Sequence, residues 1–172
     1  MAHRTFFFFI CTALLAVPMI AAGKSDDVYK SIFIDQGGRL HLVRVSGQDV
    51  LVQSQEEQVG FESPVLSSDG KTVGWLDLYP FPNFTGERDN SSPIPGVLTL
   101  YRNGHIILRF ATDQAFWDWH FWRGGRDVAY SVGPTHGGAA QVLLRHVASG
   151  KVCASWVPGD GREPRWAKGL RY

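Results

Sequence analysis

One pattern occurs twice in the middle of this chain and restricts the folds open to it. The first copy reads SSDGKTVGW, a connecting stretch and then LTLYRNGHIILRF; the second reads WRGGRDVAY and then VLLRHVASGKVCASW. In each copy, glycine-containing turns separate short runs of β-branched and aromatic residues, which is typical of antiparallel strands. A recurring unit indicates an architecture of consecutive similar elements. We therefore expect successive antiparallel sheets.

The turns of these units share a common chemistry. Gly47, Gly104 and Gly150 each follow a polar residue between two apolar runs, and glycine readily adopts the positive φ that tight hairpins require. A second turn type recurs at 69–71 and 124–126, which read Asp-Gly-Lys and Gly-Gly-Arg. No long window has the periodicity of an amphipathic helix. Short strands joined by turns are therefore predicted throughout.

The spacing of the turns predicts the domain organisation. The intervals between successive turn glycines are near or above the roughly 40–50 residues of a four-stranded propeller blade. We expect one β-rich domain over 24–172, with blade-like units at about 64–110 and 115–158 and a weaker unit at about 29–61. The stretch 80–95, rich in Pro, Asn and Ser, is predicted to be an inserted loop. The expected fold class is all-β, with propeller-like antiparallel meander units that form either a partial propeller or an open, sandwich-like stack.

The better-conforming copy resembles the repeat of TolB-like and WD-type β-propellers. Its segment PVLSSDGKTVGWL is similar to the turn and strand of such a blade, and LTLYRNGHIILRF is similar to the hairpin that follows. The second copy has WRGGRDVAY where a Ser-Pro-Asp-Gly type of turn is expected, and the unit nearest the N-terminus keeps only its second half. The resemblance implies a propeller-like protein of about two to three blades.

This number of blades has a consequence for assembly. Closed propellers need at least about four blades. Sheets that are not sealed by neighbours leave strand edges whose amide and carbonyl groups can pair with another chain. We therefore expect a protein partner or self-association through open sheet edges.

The N-terminus has the features of a secretory signal peptide. His3 and Arg4 precede a long apolar run, which ends in small residues at 21–23. Export signals combine a basic start, an apolar core and a small-residue exit. We predict that residues 1–23 are removed, and that the mature chain is secreted or periplasmic without a membrane segment. The alternative is a retained membrane anchor.

Charge and cysteine content limit the partners and cross-links. The chain has 17 basic and 16 acidic residues, a net charge of +1, so there is no basic surplus of the kind that binds nucleic acid. Cys153 is the one cysteine beyond the predicted signal, which excludes an intrachain disulfide in the exported chain. Its position within a strand pattern predicts a buried, inert side chain.

The segment AFWDWHFWRGG at 115–125 has the most unusual local composition. In a regular strand, alternate residues point to opposite faces. That alternation would place Trp117, Trp119 and Phe121 on one face, and Phe116, Asp118, His120 and Trp122 on the other. One interpretation is an aromatic platform that stacks a sugar or another small ligand. The other is an inner strand whose rings fill the space between neighbouring sheets.

If the platform interpretation holds, the predicted ligand-binding residues are Trp117, Trp119, Trp122, Asp118, His120 and His136. His136 is included because it lies in the glycine-rich stretch GPTHGG, and functional side chains concentrate on loops. Asn83 and Asn90 each begin an N-x-S/T triplet, which makes them glycosylation sites if the host carries out that modification.

The leading functional hypothesis is an exported, non-catalytic binding or scaffold module that mediates protein–protein interaction. The sequence contains no recognised catalytic, phosphate-binding or metal-binding motif, so we predict no catalytic residue, no metal and no cofactor. The alternative is a protein that binds carbohydrate or a small ligand through the aromatic cluster at 116–122. A third hypothesis is a small hydrolase that uses Asp118, His120 or His136.

Overall fold

The computed structural model describes residues 27–82, 88–135 and 138–172, so the predicted signal peptide lies outside the described residues. Within these ranges the chain is all-β, as predicted, and is organised as three antiparallel sheets. Each sheet is a meander in which strands that follow one another along the chain are neighbours. No helix in this part of the chain is long and apolar enough to cross a membrane.

The first sheet has three strands and the other two have four each. The strands of the first sheet are β1 (Tyr29–Ile34), β2 (Leu40–Arg44) and β3 (Asp49–Leu51). Those of the second are β4 (Gly60–Leu66), β5 (Thr72–Pro82), β6 (Arg88–Arg102) and β7 (His105–Ala111). Those of the third are β8 (Ala115–Trp122), β9 (Asp127–Gly133), β10 (Gln141–His146) and β11 (Val152–Trp156). A single 3-10 turn, Arg123–Gly125, joins β8 to β9.

The hairpin turns form at glycine positions where the sequence analysis predicted them. Asn103 and Gly104, between β6 and β7, have φ of 51° and 80°, and an Asn-Gly pair is suited to a turn with two positive φ angles. The turn between β4 and β5 is held by Asp69, whose Oδ1 accepts hydrogen bonds from Ser67 Oγ at 2.6 Å and from the Lys71 amide at 3.0 Å. Both turns lie at the same end of the second sheet, where Thr72 pairs with Arg102.

The sheets stack face to face with the second in the middle. Between the first and second sheets, the buried core consists of Tyr29, Leu40, Leu42, Phe61, Val73 and Trp75. Between the second and third, it includes Leu76, Leu98, Leu100, Phe110, Phe116, Trp119, Val128 and Tyr130. Since burying one such apolar side chain contributes about 1.5–3 kcal/mol, these two layers are the main source of stability.

The far face of the third sheet is covered by the end of the chain. Ala167 and Leu170, from the C-terminal segment 157–172, are buried against Ala129, Val142 and Leu144 of this sheet. The stack is therefore three sheets closed at one end by a segment without strands.

The stretch 80–95 differs from its prediction as an inserted loop. β5 continues to Pro82 and β6 begins at Arg88, so much of this stretch extends the hairpin beyond the rest of the sheet. The pairing shifts register between Tyr79 and Phe81. Such irregularities accommodate Pro80, which has no amide hydrogen to donate to a ladder. Asn83 lies outside the described residues, as does the side chain of Asn90.

Candidate functional site

The aromatic segment forms β8, the edge strand of the third sheet, but it does not alternate regularly. Phe116 pairs with Val132 and Asp118 pairs with Ser131, so Trp117 is an extra residue in a β-bulge. A bulge changes which face the following side chains occupy. The prediction that Phe116 shares a face with Asp118 was therefore wrong, because Phe116 joins Trp119 in the core between the second and third sheets.

Trp119 is a structural residue of the sheet interface. Only 3% of it is exposed, and its Nε1 donates a hydrogen bond to the carbonyl oxygen of Ser63 at 3.0 Å. A Cβ added to Gly74 would lie 2.6 Å from the Trp119 ring, so glycine on β5 leaves the space that the indole occupies. The ring is therefore closed off from any ligand in solution.

Asp118 and His120 hold the C-terminal segment on the far face of the sheet. Asp118 Oδ2 accepts a hydrogen bond from the Arg171 amide at 3.1 Å, and His120 Nε2 donates to the Trp166 carbonyl oxygen at 3.1 Å. Ser131 Oγ, on β9, donates to the Arg171 carbonyl oxygen at 2.6 Å. Each of the two predicted site residues therefore bonds to the chain's own C-terminus.

Trp122 and Trp117 occupy different environments. Trp122 is half-buried and packs against the cluster that includes Ala167 and Leu170. Trp117, displaced by the bulge, is 44% exposed and lines a cleft of about 250 Å³ with Gly133, Pro134, Gly138, Ala140 and Tyr172. The six predicted residues thus do not form one site: Trp119 is core, three contact the C-terminal segment, Trp117 faces a cleft, and His136 lies outside the described residues.

The outer face of the first sheet carries a surface that sequence analysis did not identify. We call it the open face and define it by Phe33, His41, Val43, Asp49 and Leu51, which cross-strand pairing places on the side away from the core. Phe33 and Leu51 are 43% and 42% exposed. The sequence signal for this surface was that Phe33 alternates with Ile32 and Ile34, so both faces of β1 carry apolar side chains. That pattern does not tell which of the two faces is covered.

An ionic network crosses the open face. His41 Nδ1 bonds to Asp49 Oδ2 at 2.8 Å and its Nε2 to Asp35 Oδ2 at 3.2 Å, while the ring stacks on Phe33 with centroids 4.9 Å apart. The hydrogen bond to Asp49, helped by Asp35, raises the pKa of His41. Hydrogen bonds from Arg39 hold the pKa of Asp35 well below its usual range. The network therefore favours a protonated ring.

A second charged group lies inside the second sheet. Asp77 on β5 is only 2% exposed. Its carboxylate accepts hydrogen bonds from Trp75 Nε1 and Thr99 Oγ1, each at 2.7 Å, and from Arg109 Nη2 at 3.0 Å. Because a buried carboxylate requires several donors, this network is explained by folding.

Cys153 differs from its prediction as a buried side chain. It is exposed on β11, which has a partner strand on one side only within the described part of the chain. Val152 beside it is exposed as well. Ala154 and Trp156 of the same strand pack against the core, whereas Cys153 does not. The strand pattern alone therefore misjudged the burial of this thiol.

Neither the arrangement of metal-ligating side chains nor comparison with known proteins indicates a function. Across residues 27–82, 88–135 and 138–172, no group of three or more His, Cys, Asp or Glu side chains is placed to hold a metal ion. The sequence matches no protein-family model, and the search of curated proteins also finds no match. The resemblance to TolB-like and WD-type propellers therefore stays a prediction.

Proposed function

We propose that this chain is an exported, non-catalytic binding module of propeller-like form whose open face binds a second copy of the same chain. The observation that carries the proposal is the difference between the two ends of the stack. The third sheet is covered by the C-terminal segment, whereas the first sheet presents Phe33 and Leu51 to solvent. Apolar side chains grouped on an exposed face are typical of interaction surfaces.

The charges of the open face favour a second copy over an unrelated partner. Asp49 belongs to the open face, and Arg39 lies beside it in the turn between β1 and β2; their side chains are 49% and 64% exposed and carry opposite charges. In a twofold dimer, each surface faces its own copy, so a patch that carries both signs can be complementary to itself. The apolar pair at Phe33 and Leu51 would then lie at the centre, within a charged rim, as in typical interfaces.

The oligomeric state of the exported chain tests this proposal. We expect a concentration-dependent dimer in sedimentation velocity. Replacing both Phe33 and Leu51 by Ser should give a monomer, because the apolar contribution is lost. A melting curve close to that of the wild type would show that the variant still folds, since both side chains lie outside the core.

The matched controls are Ile106→Ser on β7 and Val152→Ser on β11, which change exposed apolar residues on other sheets. Both should leave the dimer intact. A wild-type chain that stays monomeric at high concentration contradicts the proposal. Loss of the dimer in the Val152 variant alone would instead assign association to the edge of β11.

A second candidate function is binding of a carbohydrate or small ligand in the cleft of Trp117. Its support is the half-exposed indole facing Tyr172 and Pro134 across a cleft of about 250 Å³, because exposed rings stack well on sugars. Calorimetric titration with oligosaccharides tests it. Trp117→Ala should abolish any binding, and Trp122→Phe, on the covered face, should not. Equal loss in both variants would argue against this cleft.

A further inference from the structure

A second cleft lies between the second and third sheets. Its volume is about 260 Å³. Phe110, Phe116 and Tyr130 form an aromatic wall, and Arg145, Gln141 and Asp113 add polar groups. Of these residues, only Phe116 belongs to the aromatic cluster at 116–122 that the sequence analysis offered as a ligand site. The volume is slightly below the ~300 Å³ at the lower end of small-molecule pockets, which limits the occupant to a small body or one terminal residue.

Arg145 is held rigidly in this cleft. Its guanidinium carbon lies 4.9 Å from the Phe110 ring centroid and 5.9 Å from that of Tyr130. Its Nε donates a hydrogen bond to the Tyr130 hydroxyl, and its Nη1 donates to the Gly150 carbonyl oxygen at 2.8 Å. A side chain fixed in this way loses little further rotamer freedom when it binds a ligand.

Two donors in the cleft have no acceptor within the described part of the chain. Arg145 forms no salt bridge with a described carboxylate, and its Nη2 has no hydrogen-bond partner among those residues. The Tyr130 hydroxyl accepts from Arg145, but its own proton has no acceptor there either. Burial raises the pKa of Tyr130, so the hydroxyl keeps that proton. Arg145 lines the cleft and its Nη2 is not a buried atom without a partner, so a ligand that enters the cleft can accept a hydrogen bond from it.

The donors and the aromatic wall together define the chemistry of that partner. A guanidinium edge and a neighbouring hydroxyl match the two oxygens of a carboxylate. The rings of Phe110 and Phe116 suit an apolar body. Asp113 at the rim disfavours a second negative charge through repulsion. We propose that this cleft binds a small organic monocarboxylate with an apolar or aromatic body. This site is independent of the proposed dimer.

The same chemistry occurs in a free acid and in the C-terminus of a peptide that ends in an apolar residue. Amide chemical shifts in a two-dimensional NMR titration distinguish them. The probes are phenylacetate, its neutral amide phenylacetamide, and acetyl-Gly-Phe as the free acid and as the amide. Phenylacetate should shift the amides around Arg145, and phenylacetamide should not. Tighter binding of acetyl-Gly-Phe acid than of phenylacetate assigns the cleft to a peptide terminus.

A variant at the rim tests the site without disturbing the bonds of Arg145. Gln141 lines the cleft and is exposed. Gln141→Glu should weaken phenylacetate binding about tenfold by adding a like charge. The matched control is Gln36→Glu, an exposed turn residue near the first sheet, which should leave binding unchanged. Arg145→Gln should abolish binding, and its melting curve reports whether the fold survives.

Three results would overturn the proposal. They are equal affinity for phenylacetate and phenylacetamide, equal effects of the two Gln→Glu variants, and no shift change with any probe at millimolar concentration. Each readout is independent of oligomeric state, so failure here leaves the dimer proposal standing.

Discussion

At the scale of single residues, the packing of the third sheet on the second depends on the absence of a side chain at Gly74. The Trp119 ring and the Leu100 side chain approach Gly74 so closely that an added Cβ would lie 2.6 Å and 2.7 Å from them. We expect Gly74→Ala to lower the free energy of unfolding by about 1–3 kcal/mol, the usual cost of overpacking a core. Urea unfolding measures the difference.

The matched control for this substitution is Gly96→Ala. Gly96 lies on the neighbouring strand β6, where a Cβ would meet Tyr79 at an ordinary 3.7 Å. Its free energy of unfolding should change little or rise slightly, since alanine restricts the unfolded chain more than glycine does. Equal destabilisation by the two variants would mean that Trp119 is not packed as described.

Asp77 is the residue whose removal should cost most. Asp77→Ala leaves the buried donors of Trp75 and Thr99 without an acceptor and removes the partner of Arg109. Breaking a buried ion pair costs about 3–5 kcal/mol, and we expect the lower part of that range because Arg109 is partly exposed and can regain water. Thr99→Val, which removes one donor only, should cost about 1.5 kcal/mol. Urea unfolding of both variants checks the order.

At the scale of elements, a titratable side chain connects the three strands of the first sheet. His41 on β2 connects to Asp49 on β3 and to Asp35 at the end of β1. Because its pKa is raised in the folded state, the stabilisation is complete below the ordinary value of 6.5 and is lost as pH rises through the folded value. Protonation therefore strengthens the connection between the three strands.

The His41→Gln variant tests this pH dependence. The wild type should exceed the variant in melting temperature at a pH below 6.5, and the difference should shrink at alkaline pH. The pKa of Asp35 lies well below its usual range, so its own titration falls outside that window. Parallel melting temperatures for the two proteins at every pH would contradict the role of this ring.

At the scale of the whole molecule, the two ends of the stack set how far assembly can go. One end is the open face, and the other is covered by Ala167 and Leu170 of the C-terminal segment. If the open face pairs as proposed, a single available end stops association at a dimer. Association that used both ends would instead continue into chains, because head-to-tail contacts do not close unless the rotation forms a ring.

Truncation tests this limit. Removing residues 164–172 uncovers Ala129, Val142 and Leu144, which are buried in the intact chain. We expect the truncated protein to form species larger than a dimer and to bind a hydrophobic dye, measured by light scattering and fluorescence. Removing Tyr172 alone, an exposed residue, is the control and should preserve the dimer. A truncated protein that stays dimeric would mean that the C-terminal segment does not prevent association at this end of the stack.

The sequence by itself determined the strands and most of the turns of this protein. The runs at 97–101 and 106–110 fold as adjacent strands because β-branched and aromatic residues favour extended backbone. Gly104 forms the turn between them because its φ of 80° suits glycine. These preferences act between residues a few positions apart, so they can be inferred from sequence.

Only the tertiary structure decided which faces are covered. The bulge at Trp117 put Trp119 on the same core face as Phe116. The C-terminal segment covered Asp118 and His120, and Cys153 stayed exposed on an edge strand. Each outcome depends on contacts between residues far apart in the chain, and one extra residue in a strand reverses the faces of those that follow. Burial is a property of the neighbours that the fold supplies, and local patterns do not contain that information.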